Sequence, residues 1–144
     1  MKIPVKKLSE SACLPTYGSP FSAGADLYAL SEEAVVILPG ETKLIRTGIA
    51  MEIPEGYGGF IYARSGLASK SGLAPANKVG VVDADYRGEI MVALHNHSSE
   101  VRTVSSGDRI AQLVIAPFLK GDFYEAEVLC DSERSVGGFG STGK

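Results

Sequence analysis

The sequence is short of cysteine, of long apolar runs and of helical periodicity, and each shortage narrows what it can be. Cys13 and Cys130 are its two cysteines, too few for a disulfide framework and without the CxxC or Cys/His spacing of a zinc site, so they read as reduced, inert thiols. No stretch approaches the about 20 apolar residues of a membrane span, and the start MKIPVKKLSES lacks the apolar centre of a signal peptide. A cytoplasmic protein is expected, with no membrane partner. An excess of positive charge is also missing. Against 17 Asp+Glu stand 14 Lys+Arg, and a net charge of -3 offers no general attraction to nucleic acid. Any phosphate recognition must therefore come from a focused site.

What the sequence does contain is a globular mixture cut into short pieces. Its 144 residues, 44% hydrophobic and 22% charged, are the size of one domain, able to bury roughly 70% of the unfolded chain's surface around one core. Runs with strand character are 3–8, 25–29, 34–38, 42–53, 59–63, 79–83, 89–95, 102–104, 109–118 and 123–129. Turn chemistry at Pro39-Gly40, Pro54-Glu55-Gly56, Ser98-Ser99 and Ser105-Ser106-Gly107 separates several of them. Strands so closely spaced predict an all-β barrel or sandwich. The helical expectation is a single turn over 66–70 with Ser65 as its N-cap. A helix start favours anions, which would place Arg64 and Ser65 at a small phosphate site; a capped surface turn with a solvated arginine is the plainer reading of that segment. Beyond residue 130 packing residues nearly vanish, while Gly137, Gly138, Gly140 and Gly143 crowd the end around one aromatic, Phe139. The chain thus divides into a β domain over 1–130 and an arm over 131–144 that is expected to be mobile until something binds.

The densest chemical cluster is Gly80-Val81-Val82-Asp83-Ala84-Asp85-Tyr86-Arg87-Gly88-Glu89. If strand geometry persists through it, Asp83 and Asp85 share a face, and a carboxylate at a strand end can hold and deprotonate a water. A polar turn with an exposed Asp/Arg pair explains the same pattern without chemistry. Gly138-Phe139-Gly140-Ser141-Thr142-Gly143 fits GxGxxG, and its continuation to Lys144 fits part of a Walker A sequence. Both motifs need a following helix, and the sequence stops. A glycine-rich run nevertheless lets backbone amides approach phosphate oxygens, with Ser141 and Thr142 adding hydroxyls. His95-Asn96-His97 has no third ligand at metal-site spacing and reads as a strand end. Asp26 alone is an acid beside a flexible glycine.

Five segments, in order, resemble the five motifs of the trimeric dUTPase family. They are Ala23-Gly24-Ala25-Asp26-Leu27, Arg64-Ser65-Gly66, the stretch from Gly80 to Ile90, Gly107-Asp108-Arg109-Ile110-Ala111-Gln112, and Gly137-Gly138-Phe139-Gly140-Ser141-Thr142-Gly143. The resemblance covers nearly the whole chain. It implies a jelly-roll-like β fold, a homotrimer with active sites shared at subunit interfaces, and hydrolysis of dUTP to dUMP and pyrophosphate.

By the same resemblance, Asp83 would be the base that positions water at the α-phosphorus. Tyr86 would pack on the deoxyribose and exclude a 2′-hydroxyl. Asn77 and the backbone of a tight hairpin reaching Met91 would read uracil and leave no room for a 5-methyl group. Arg64, Ser65, Gly66 and Gln112 would meet the phosphate chain, and Phe139 would stack on the base. Arg134, Gly140, Ser141 and Thr142 would close over the outer phosphates. Mg2+ would be held chiefly by phosphates and waters, with Asp26 acting through a water. Two departures stand out: Ser135 follows Arg134 where many members have glycine, and Ala63 precedes Arg64 where proline is usual. A dCTP deaminase, related in fold, and a nucleotide-responsive regulatory binder are the competing readings.

Overall fold

The computed structural model describes residues 1–132. The expectations placed on Arg134, Phe139, Gly140, Ser141 and Thr142, and on most of the arm, lie outside the described residues.

Twelve short strands and one helix make up the described chain. The strands are β1 (Val5–Lys7), β2 (Thr16–Tyr17), β3 (Ala25–Tyr28), β4 (Val35–Ile37), β5 (Thr42–Arg46), β6 (Ile49–Met51) and β7 (Tyr57–Tyr62). Helix α1 (Ser65–Ser71) follows, then β8 (Leu73–Pro75), β9 (Gly80–Val82), β10 (Met91–Asn96), β11 (Arg102–Val104) and β12 (Arg109–Pro117). All pairings are antiparallel, in a five-stranded sheet β2-β3-β12-β7-β9, a three-stranded sheet β5-β10-β8, and the pairs β1-β6 and β4-β11. This is the expected all-β, jelly-roll-like arrangement. The sheets do not join into one hydrogen-bonded barrel among the described residues.

Antiparallel strands that face the core on one side alternate in burial, and β10 does so: Val92, Leu94 and Asn96 are buried while Met91, Ala93 and His95 are less so. One cluster forms the core, with Leu27, Ile37, Ile45, Ile49, Ile90, Leu94 and Ile110 among its members. Asn96 is one of three buried polar residues among those described, with Asp26 and Thr47, and has no exposed surface. Its Nδ2 donates to the carbonyls of Ile37 (3.0 Å) and Glu100 (2.7 Å), and its Oδ1 accepts from Ser98 N (3.0 Å) and Ser98 Oγ (2.7 Å). A fully bonded amide is what burial demands. His95 is tied to Thr42 Oγ1 through Nδ1 at 2.8 Å, so the His-Asn-His segment is a pinned strand end, as expected.

Three expectations are corrected, and two strands, β2 and β8, were not anticipated. The single strand over 42–53 is broken at Thr47-Gly48, where Gly48 has a φ of 69° and a Cβ would lie 2.3 Å from Leu30 Cδ2. The helix starts one residue early, with Arg64 as N-cap in extended conformation and no side-chain cap bond; Ser65 is its first helical residue. The short strands β2 and β8 have too few residues to show periodicity. The segment 123–129 forms no strand: Phe123 is 96% and Tyr124 85% exposed. The segment pairs with no strand among the described residues.

Candidate active site

Strand β12 organises the first of two groups of candidate residues. Gln112 lies opposite Asp26 of β3 on one side and Tyr62 of β7 on the other, so Asp26 and Gln112 share a face. The side chain of Gln112 fills space that only a glycine leaves open, since a Cβ on Gly24 would stand 2.6 Å from Gln112 Oε1. Its Nε2 then donates to the Ala63 carbonyl at 2.8 Å, fixing the backbone that delivers Arg64 to the start of α1. Arg64 Nε donates to Asp26 Oδ1 at 2.7 Å, and Arg109 Nη1 donates to Asp26 Oδ2 at 3.2 Å. These side chains, with Ser65, Gly66 and Lys70, line an open cavity of about 810 Å³. Arg64, Arg109 and Lys70 line it with the one carboxylate of Asp26, which gives a locally positive site on an acidic chain.

The second group lies around β9 and the start of β10. Asn77, Asp83, Tyr86 and Met91 line a cavity of about 270 Å³ together with Glu89 and Ile90. The expected hairpin is not a hydrogen-bonded one. β9 pairs with β7, while β10 pairs with β5 and β8, so the two strands belong to different sheets and part instead of zipping. The gap between them is the cavity. Strand geometry also stops at Val82, and Ala84 and Asp85 form a turn, so the shared face expected for Asp83 and Asp85 does not arise. Asp83 stands exposed at the strand end, and its carboxylate has no hydrogen bond or ion pair among the described residues. Tyr86 Oη donates to the Glu89 carbonyl at 3.0 Å. Gly88 makes that fold possible, because a Cβ there would come within 2.4 Å of the tyrosine oxygen. Glu89 in turn accepts from Arg46 Nε (3.0 Å) and Gly48 N (2.8 Å), which ties the cavity wall to the break between β5 and β6.

The structure therefore brings Arg64, Ser65, Gly66, Gln112 and Asp26 together, and separately Asn77, Asp83, Tyr86 and Met91; no residue lines both cavities. Sequence reasoning gave no role to Arg109. A β-bulge between Arg109 and Ala111 explains the omission: Arg109 faces Tyr28 while Ala111 already faces Leu27. In a regular strand residues three apart point to opposite faces, and the extra residue turns Arg109 to the side of Gln112.

A family model for dUTPase matches residues 10–143. The chain belongs to the dUTPase family. It is 51% identical over 144 residues to a deoxyuridine 5'-triphosphate nucleotidohydrolase of Nautilia profundicola, covering 100% of both chains. It is also 51% identical to the Desulfitobacterium hafniense protein of that name, covering 99% of this chain and 95% of the relative. Among solved structures it is similar to a Staphylococcus bacteriophage 80alpha dUTPase with dUPNHPP, at a TM-score of 0.89 and 32% identity over 99% of each chain. A phage phi11 dUTPase of S. aureus, whose structure concerns a structural Mg(II) ion, is similar at a TM-score of 0.79 and 29% identity, over 89% of this chain and 98% of that one.

For a dUTPase, the donor set near Asp26 is informative about metal. Among the described residues no three His, Cys, Asp or Glu side chains cluster to hold an ion, and both Asp26 oxygens are engaged by guanidinium groups. The described residues alone do not present a coordination shell there. An ion that brings its own phosphate and water ligands, and meets Asp26 across a water, fits this arrangement, since Mg2+ keeps much of its hydration. No helix among the described residues is long and apolar enough to cross a membrane.

Proposed function

We propose that this chain hydrolyses dUTP to dUMP and pyrophosphate at sites shared between copies of itself in a homotrimer, with Asp83 holding the attacking water. The observation that carries the reading is the division of the candidate residues. One cavity holds the cations suited to phosphate and the other holds the carboxylate and the planar hydrogen-bonding gap, and the lack of any residue lining both supports a site built from two copies. Relatives at about half identity carry the corresponding name.

The opening between β9 and β10 suits a flat base. Asn77 offers a donor and an acceptor, and the backbone up to Met91 offers more. Tyr86, held by its bond to Glu89, presents a ring face where a 2′-hydroxyl would collide. Cytosine would leave polar groups mispaired, a mismatch that hydrogen-bonding sites penalise heavily. The unpaired Asp83 carboxylate accepts a proton from water as it attacks the α-phosphorus. Arg64, Ser65, Gly66 and Gln112, brought by another copy, bind the phosphate chain and orient it. Arg134, Phe139, Gly140, Ser141 and Thr142 complete the enclosure over base and outer phosphates. Mg2+, when bound, neutralises phosphate charge as a Lewis acid, with Asp26 facing it through a water.

Pyrophosphate release with Mg2+ from dUTP, dTTP, dCTP and UTP tests the reading, with deaminated product from dCTP assayed alongside. Selective turnover of dUTP supports it; equal turnover of all four, or deamination, overturns it. Sharing of the site is tested by co-assembly of two inactive chains, Asp83→Asn and Arg64→Ala. Mixed oligomers should regain activity, because some sites combine an intact half from each. No regain in verified mixed oligomers, or turnover by a monomer, overturns a shared site.

A further inference from the structure

We propose that Arg109 is a positioning residue for the phosphate end of the site, acting through Asp26 to keep Arg64 available to the anion. The inference rests on the reading of the larger cavity given above. Asp26 is mostly buried, with 12% of its side chain exposed, and takes one guanidinium on each oxygen. Arg64 holds Oδ1 through Nε alone, at 2.7 Å. Arg109 holds Oδ2 through Nη1, at 3.2 Å, and its carbonyl lies 3.5 Å from Arg64 Nη1.

The arrangement is a competition. An arginine beside a carboxylate prefers to bind both oxygens with two parallel N–H groups. Arg109 occupies the second oxygen and so limits Arg64 to a single strong bond. Nη1 of Arg64 reaches the Arg109 carbonyl, and Nη2 is left for the cavity, where Ser65 and Gly66 begin α1. Without Arg109, Oδ2 of a largely buried carboxylate would lose its partner, which is costly. The carboxylate would then turn to take Nη2 of Arg64 as well, drawing the guanidinium out of the cavity. The bulge in β12 is what allows this competition, since it places Arg109 on the face of Asp26.

The test uses the full chain and two readouts: binding of inorganic tripolyphosphate by calorimetry, and KM and kcat for dUTP. Arg109→Ala and Arg109→Gln should weaken tripolyphosphate binding roughly tenfold, the worth of about one charge-assisted hydrogen bond. They should raise KM by a similar factor with a smaller fall in kcat. Arg109→Lys should restore most of the loss, because an ammonium also occupies Oδ2. In an Asp26→Asn background, Arg109→Ala should cause no further loss. Equal losses in both backgrounds would mean that Arg109 touches the phosphate itself, and would overturn the proposal. So would unchanged binding in Arg109→Ala, or wild-type protein that does not bind tripolyphosphate. The two readings separate cleanly: a wild type that binds the probe but leaves dUTP intact defeats the proposed function alone.

Discussion

The two cavities differ in how firmly their functional groups are held. Around Asp26 almost every group is bonded to another: Arg64 and Arg109 to the carboxylate, Gln112 to the chain before Arg64. In the second cavity Tyr86 and Glu89 are also bonded, but the Asp83 carboxylate at the end of β9 has no partner among the described residues. A phosphate-binding surface gains from donors fixed before the anion arrives, because the cost of ordering them is met in folding. A base that must accept a proton gains from an oxygen that no cation has already claimed. The contrast teaches that groups fixed in advance and a carboxylate left unclaimed lie in different cavities of this molecule.

Substitutions should break that contrast in different ways. The largest expected effect is in Asp83→Asn, where kcat for dUTP should fall by about 10²–10⁴-fold while the melting temperature stays within error. A large loss of stability would show that Asp83 has structural partners after all. Next is Gly24→Ala. The added Cβ would lie 2.6 Å from Gln112 Oε1 and 3.1 Å from its Cβ, so both stability, by about 1–3 kcal/mol, and tripolyphosphate affinity should drop together. Denaturant melts beside calorimetry check this, and a change in one without the other would separate what the first cavity joins.

A smaller effect is expected in Gly88→Ala. There the new Cβ would displace the Tyr86 ring from its bond to Glu89. Discrimination between dUTP and UTP should weaken by about tenfold with little change in melting, measured as the ratio of the two kcat/KM values. The smallest concerns His97, outside both cavities, whose N–H bonds Gly72 at the end of α1. Desolvation, then the nearby His95 and Lys78, lower its pKa. The folded chain thus favours neutral imidazole, and the associated stability is complete above the usual value of about 6.5 and is lost as pH falls through the lowered one. NMR titration should give a midpoint below that of a free histidine, with slight destabilisation on acidification.

Much of this was legible in the sequence, and the gaps have physical causes. Strand segments and the short helix followed from turn chemistry and periodicity, while the grouping of Arg64, Ser65 and Gln112 was implied by the family resemblance. The parting of β9 from β10 was not legible, because it depends on which distant strands, β7 and β5, each one pairs with. Gly48 and the break it makes needed the neighbouring Leu30 and Ala12 side chains to be seen. The segment 123–129 has strand composition, yet composition cannot supply a partner strand. Arg109 stayed hidden since a bulge changes the parity of a strand without any distinctive residue.

That bulge has a consequence for how the chain tolerates change in length. Removing one residue between Arg109 and Gln112 would swing the arginine to the opposite side of the sheet, and with it the balance of charge beside Asp26. Swapping Ile110 for another apolar residue would leave the same geometry standing. At this place in the molecule, counting matters more than spelling.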